Sequence, residues 1–99
     1  MRKGILSLIL LLIVPFITLS QLNINGTVKS NNGAALTKVE VLVKELGDKQ
    51  LTNSNGEFSF NSLNLKKCVL IFSLKGHQTI SKKINSKNAS QIEITLKKY

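Results

Sequence analysis

The sequence predicts an all-β fold, a seven-stranded antiparallel β-sandwich, and three observations lead to it. Apolar and polar residues alternate along several short segments, which is typical of strands with one buried and one solvated face. Turn-forming residues separate these segments at intervals of about 8–12 residues, as in sandwiches and barrels. No stretch after the first twenty residues has a helical pattern of convincing length. With 99 residues, the chain has room for one domain.

The chain begins with MRKGILSLILLLIVPFITLS, which predicts a secretory signal peptide over residues 1–20. A basic head, an apolar run over residues 5–19 and the small residue Ser20 follow one another in the order of a cleavable signal. An uncleaved anchor is the less favoured alternative. A spanning helix needs about 20 apolar residues, whereas Ser7 and Pro15 interrupt this run.

Residues 21–99 then form the mature domain, which is small enough to bury only about 60–65% of its unfolded surface. Its one cysteine, Cys68, excludes an intrachain disulfide. This cysteine opens the apolar run CVLIFSL, which favours a buried thiol over an intermolecular bridge.

The first four strands are predicted at residues 22–28, 38–45, 49–53 and 57–61. LNINGTV and KVEVLVKE alternate apolar with polar residues, and GEFSFN places Phe58 and Phe60 on one face. In the segment TNSNGEFSF, residues 52–60, Asn55 and Gly56 accept the positive φ of a tight turn. We therefore expect KQLT and EFSF to pair as the two arms of a hairpin.

The last three strands are predicted at residues 68–75, 77–84 and 91–97. The run CVLIFSL and the alternating QIEITLKK are typical of strands. In HQTISKKI, Lys82 shares a face with two isoleucines. A bulge or an edge position would let this lysine reach water.

Catalytic, cofactor-binding and metal-binding residues are not predicted, and no cofactor is expected. The only histidine, His77, and the only aspartate, Asp48, lie in different turns, and no paired carboxylates or nucleophile elbow occur. A metal site at His77 and Cys68 lacks further ligands at suitable spacing. Calcium prefers several carboxylates, and the loop before Phe58 offers only Glu57. The chain is not expected to be an enzyme.

Four short motifs lie along residues 22–97. They are a G-x-V start, a glycine before a leucine and a V-x-V strand, a T-x-x-x-G-x-F turn, and an apolar strand followed by glycine, and they consist of Gly26, Val28, Gly33, Leu36, Val39, Val41, Thr52, Gly56, Phe58, Leu70, Phe72, Ser73 and Gly76. In this combination they resemble the carboxypeptidase regulatory-like domain, a transthyretin-like β-sandwich family of exported bacterial proteins. Asn53 stands where the family usually has aspartate, and His77 where it usually has tyrosine.

This resemblance implies an accessory role. Such modules accompany zinc carboxypeptidase domains or precede the plug and barrel of TonB-dependent receptors, and they have no catalytic residues of their own. We expect a free-standing copy that is periplasmic, associated with the outer envelope or secreted. The expected function is that of an exported, non-catalytic binding or structural module of the cell envelope. It would contact an unknown envelope protein through a sheet edge or loop tips.

The alternative is a protein that binds carbohydrate or an anionic polymer through a lysine-rich face. The formal charge is +9, and loss of the signal peptide leaves +7, which favours anionic surfaces. Lysine pairs occur at 66–67, 82–83 and 97–98. The simpler interpretation is that these lysines keep strand faces solvated and protect strand edges from aggregation. Nucleic acid is not an expected partner of an exported chain with few aromatic residues. A stable membrane span is not expected after signal cleavage.

Overall fold

The computed structural model describes residues 21–99, so that the predicted signal peptide lies outside the described residues. Within the described part, no helix is long and apolar enough to cross a membrane. Residues 21–99 form seven strands, and the predicted all-β fold is confirmed. They are β1 (Leu22–Ser30), β2 (Glu40–Val43), β3 (Lys49–Leu51), β4 (Glu57–Leu63), β5 (Lys67–Ser73), β6 (Ile80–Asn85) and β7 (Ile92–Leu96).

The strands form two sheets, one with the order β4-β1-β7 and one with the order β3-β2-β5-β6. One pairing departs from the antiparallel expectation, because β1 and β7 run parallel, from Gly26 opposite Ile92 to Ser30 opposite Leu96. Parallel neighbours need a long connection. Here the other five strands separate β1 from β7 along the chain, which meets that need.

The core lies between the two sheets, where the inward residues of the alternating strands meet. The ring of Phe58 on β4 packs edge-on against Phe72 on β5, with a centroid distance of 5.4 Å. Cys68 is buried, as expected. The buried apolar residues of the described part are Leu22, Ile24, Val28, Val39, Val41, Val43, Phe58, Phe60, Leu63, Cys68, Leu70, Phe72, Ile84, Ala89, Ile92, Ile94 and Leu96.

Lys82 occupies the edge position that the sequence suggested as one solution. It lies on β6, the outermost strand of the four-stranded sheet, opposite the buried Leu70. Its side chain is exposed because nothing pairs with the outer side of β6 within its sheet. The aliphatic stem can therefore lie beside the core while the ammonium group remains in water.

The predicted pairing of KQLT with EFSF is wrong, because the two segments belong to different sheets. β3 pairs with β2, and β4 pairs with β1. The turn over residues 44–48 brings β3 back alongside β2, and within it the N–H of Val43 donates to the carbonyl of Asp48 at 2.8 Å. The corner at residues 52–56 instead carries the chain to the other sheet, where Phe58 and Phe60 enter the core.

Candidate functional site

The outer face of the four-stranded sheet carries four apolar side chains. Leu51 on the edge strand β3 lies opposite Glu40 and is 61% exposed. The other three, Leu42, Val69 and Ile71, lie together on β2 and β5, and we call them the apolar patch. On β5, the core residues alternate with Val69 and Ile71, so these two side chains point away from the core. Leu42 on β2 lies directly opposite Ile71. All three are partly exposed. Other partly buried apolar residues pack against the core, but these three are not among them.

Lysines border the apolar patch on both sides, and we call Lys49, Lys67 and Lys83 the lysine border. Lys83 on β6 lies opposite Val69, and Lys49 on β3 lies opposite Leu42. Lys67 lies two residues before Val69 on β5 and therefore shares its face. All three lysines are exposed.

The Lys49 ammonium lies 3.8 Å from a carboxylate oxygen of Glu40, and the two side chains are 59% and 41% exposed. An ion pair this exposed is weak. Lys49 can therefore exchange Glu40 for a carboxylate of a bound partner.

The outer face of the three-stranded sheet is polar by contrast. It lines an open groove of about 920 Å³, and polar side chains including Asn25, Thr27, Glu57, Ser59 and Glu93 form most of its wall. No lysine lines this groove, and two of its residues carry carboxylates. An apolar outer face is therefore a property of one sheet and not of both.

The lysine pairs do not all share one face. Lys67 and Lys83 lie on the outer face of the four-stranded sheet, whereas Lys82 lies opposite the buried Leu70 on the other side of β6. The pair at residues 97–98 follows β7, and its backbone bonds to residues 77 and 78 between β5 and β6. The lysines beside the apolar patch are the ones that share its face.

The titratable residues considered from the sequence are dispersed. Nδ1 of His77 lies 3.2 Å from the carbonyl oxygen of Lys75, and the backbone of His77 forms a bridge with Lys98. Nε2 of the same ring is buried and has no hydrogen-bond partner in the part of the chain that is described. Asp48 is exposed in the turn between β2 and β3. Among residues 21–99, no three His, Cys, Asp or Glu side chains come together to hold a metal.

The thiol of Cys68 lies in the core on β5. Burial of its thiol raises the pKa, and the nearby negative charge of Glu45 adds to the effect. A thiol whose charged form is disfavoured is a poor nucleophile. Cys68 therefore behaves as a core side chain.

The corner at residues 52–56 is built by side-chain hydrogen bonds to the backbone. The Oδ1 atom of Asn53 accepts the N–H groups of Asn55 and Glu57, both at 2.9 Å. Gly56 has a φ of 75°, as its turn position predicted. A Cβ on Gly56 would lie 2.5 Å from the carbonyl oxygen of Val28, so the corner also packs against β1. These contacts give the segment a structural role.

Sequence reasoning missed the apolar patch, although a signal was present. VLIF within β5 is a continuous apolar run, which is typical of a strand with apolar residues on both faces. Leu42 likewise breaks the alternation of KVEVLVKE. Either departure could have indicated an apolar outer face.

The fold is also found in a larger enzyme. The crystal structure of 3-chlorocatechol 1,2-dioxygenase from Rhodococcus opacus 1CP matches 83% of this chain and 61% of its own, with a TM-score of 0.63 and 14% sequence identity. At this identity the likeness is one of fold, and the chain spans about three fifths of the dioxygenase. None of the curated proteins matches the sequence at a significant level.

A family model matches nearly all of the residues that the structure describes. The model of the CarboxypepD_reg-like domain matches residues 24–99, from the first strand to the last residue. The corner with Thr52 and Gly56 and most of the residues of both sheets lie within this match. The chain belongs to the carboxypeptidase regulatory-like domain family, whose members are transthyretin-like β-sandwiches.

Proposed function

We propose that this protein is an exported, non-catalytic accessory module of the cell envelope that acts by protein–protein contact. Family membership supports a regulatory-like domain without a catalytic role. The pattern of residues 1–20 supports export. The apolar patch is the observation that carries the proposal, because apolar side chains grouped on an exposed face mark interaction surfaces.

The sheet face is favoured over the free sheet edges as the contact. Edge strands invite pairing with another chain unless charged side chains guard them. On β6, Lys82 and Lys83 are both exposed. These two lysines oppose the addition of a strand at that edge. Burial of the apolar patch against a partner, in contrast, removes apolar surface from water and is favourable.

Export is tested with the full chain carrying a C-terminal tag in its native host. Cell fractionation and amino-terminal sequencing should find the protein in the envelope or medium with Gln21 as its first residue. A cytoplasmic protein that still begins at Met1 would overturn the proposed export.

Protein contact is tested by a pull-down of the same tagged chain from envelope extract, washed at low and then at high salt. The bound protein should survive the high-salt wash and should be lost with Ile71→Asn. The matched control is Thr27→Asn, which places the same side chain on the outer face of the other sheet's central strand. Both variants are first shown to fold by thermal unfolding.

Two results would contradict the proposed contact. Polysaccharide or anionic lipid that elutes as salt rises would favour the alternative function, because salt screens contacts between exposed charges. Retention that Ile71→Asn and Thr27→Asn reduce equally would show that the apolar patch has no special part in binding.

A further inference from the structure

We propose that the apolar patch docks a protein whose contact surface has an apolar centre and an acidic border. The inference rests on the proposed accessory function and adds the place of contact and the chemistry of the partner. Its basis is the arrangement of Leu42, Val69 and Ile71 between lysines on the neighbouring strands.

The pairing of the strands places apolar and charged residues in rows across the sheet. One row runs from Lys49 on β3 through Leu42 to Ile71. Another brings Val69 opposite Lys83 on β6. Positive charges therefore stand on both flanks of the apolar centre. A partner that covers the centre must also meet these charges.

The two kinds of residue would contribute differently to binding. Burial of the apolar patch supplies affinity that salt does not screen. The lysine border attracts carboxylates, speeds association and fixes the orientation of the partner, and these effects weaken as ionic strength rises. A partner with an acidic border is therefore bound faster and more selectively than one with a neutral border.

A second copy of this chain does not fit the same surface. In a symmetrical dimer the same face meets itself. Each copy would bring the three lysines of the border and two carboxylates. Glu40 already lies near Lys49, and Glu45 already accepts the backbone N–H of Val69 at 3.1 Å. The contact would then hold an excess of positive charge, which opposes association.

The remaining occupants fit less well. Residues 1–20 contain two basic residues and no acidic one, so they cannot complement the lysine border. An anionic polymer would complement the lysines but offers no large apolar group to Leu42, Val69 and Ile71. An acidic protein surface with an apolar centre satisfies both parts of the face.

The test uses the full chain in its native host with the photocrosslinking residue p-benzoylphenylalanine at position 71. The same residue at position 27, on the outer face of the three-stranded sheet, is the matched control. Illumination should yield one protein adduct from position 71 and none from position 27. Mass spectrometry then identifies the adduct, and the partner's contact surface should carry carboxylates around an apolar centre.

Charge reversal tests the lysine border. Lys49→Glu, Lys67→Glu and Lys83→Glu together should reduce the adduct from position 71 at least about tenfold, since like charges now oppose docking. The matched variant carries Lys29→Glu, Lys97→Glu and Lys98→Glu, which make the same change in net charge at exposed positions outside the lysine border. It should leave the adduct unchanged.

Each other outcome overturns the inference. An adduct with a second copy, polysaccharide or lipid would assign a different occupant. Equal loss in both triple variants would show that net charge, and not the lysine border, governs binding. A protein adduct from position 27 alone would preserve the accessory function but remove this face from it. No adduct from either position would contradict both the function and the surface.

Discussion

The side-chain hydroxyl of Thr52 accepts a hydrogen bond from the backbone N–H of Val39 at 2.9 Å. The same hydroxyl donates to the carbonyl oxygen of Leu36 at 2.6 Å. Thr52 thereby joins the end of β3 to the segment that leads into β2, and its side chain is only 3% exposed. This connection gives a physical reason for a threonine at the start of the T-x-x-x-G-x-F turn.

We expect Thr52→Val to destabilise the fold by about 1–3 kcal/mol, because it leaves the buried N–H of Val39 and the partly buried carbonyl of Leu36 without their partner. Valine keeps the shape of threonine, so that the loss of the hydroxyl is measured almost alone. Urea unfolding measures the difference in free energy. Thr52→Ser keeps the hydroxyl and should unfold closer to the original protein. A serine variant less stable than the valine variant would contradict this role.

Gly26 provides space at the centre of the three-stranded sheet. A Cβ at this position would lie 2.6 Å from Cζ of Phe58 and 2.8 Å from both Cβ and the carbonyl oxygen of Ile92. We expect Gly26→Ala to cost about 1–3 kcal/mol through overpacking, again measured by urea unfolding. Asn25→Ala, at the adjacent exposed position, should change the unfolding free energy much less. If Gly26→Ala and Asn25→Ala changed the unfolding free energy equally, Phe58 and Ile92 would be able to move away from the added methyl group without cost.

Gly56 and Gly33 allow the effect of the backbone to be separated from that of packing. Both have positive φ, 75° for Gly56 and 88° for Gly33. A Cβ on Gly56 would lie 2.5 Å from the carbonyl oxygen of Val28, whereas a Cβ on Gly33 would meet no atom within 4 Å. Alanine at either site should incur the cost of a left-handed conformation, about 1–2 kcal/mol. Gly56→Ala should lose about 1–3 kcal/mol more through the clash with Val28. Equal midpoints of thermal unfolding would exclude a packing role for this corner.

Cys68 should make stability depend on pH in the alkaline range. Its pKa is raised in the folded state, chiefly by burial, so that the folded protein holds the thiol proton more tightly than the unfolded chain. The contribution of this group is present below the unfolded pKa of about 8.5 and is lost as pH rises through the folded pKa. We therefore expect the stability advantage of the original protein over Cys68→Ala to shrink above that pH.

Urea unfolding at neutral and alkaline pH measures this advantage. The difference should decrease by up to about 1.4 kcal/mol for each unit by which the pKa is raised. Val69→Ala removes an apolar side chain next to Cys68 and no titratable group, so its effect should remain constant with pH. A constant difference for Cys68→Ala would show that the thiol ionises equally in both states.

The sequence by itself determined the number of strands and the inner face of most of them. Alternation is a local property, since neighbouring residues of a strand point to opposite faces. Phe58 and Phe60 could therefore be assigned to the core, and the position of Gly56 in a turn followed from its φ preference. The motifs around Thr52 and Gly56 also indicated the family, which the family model confirms.

Only the tertiary structure decided which strands are neighbours and what the outer faces carry. Every strand presents the same backbone donors and acceptors, so alternation does not specify a partner. For this reason the sequence wrongly joined β3 to β4 and did not indicate that β1 and β7 are parallel. The apolar patch depends on the same pairings, because Leu42, Ile71 and the bordering lysines come together only when β2, β3, β5 and β6 align.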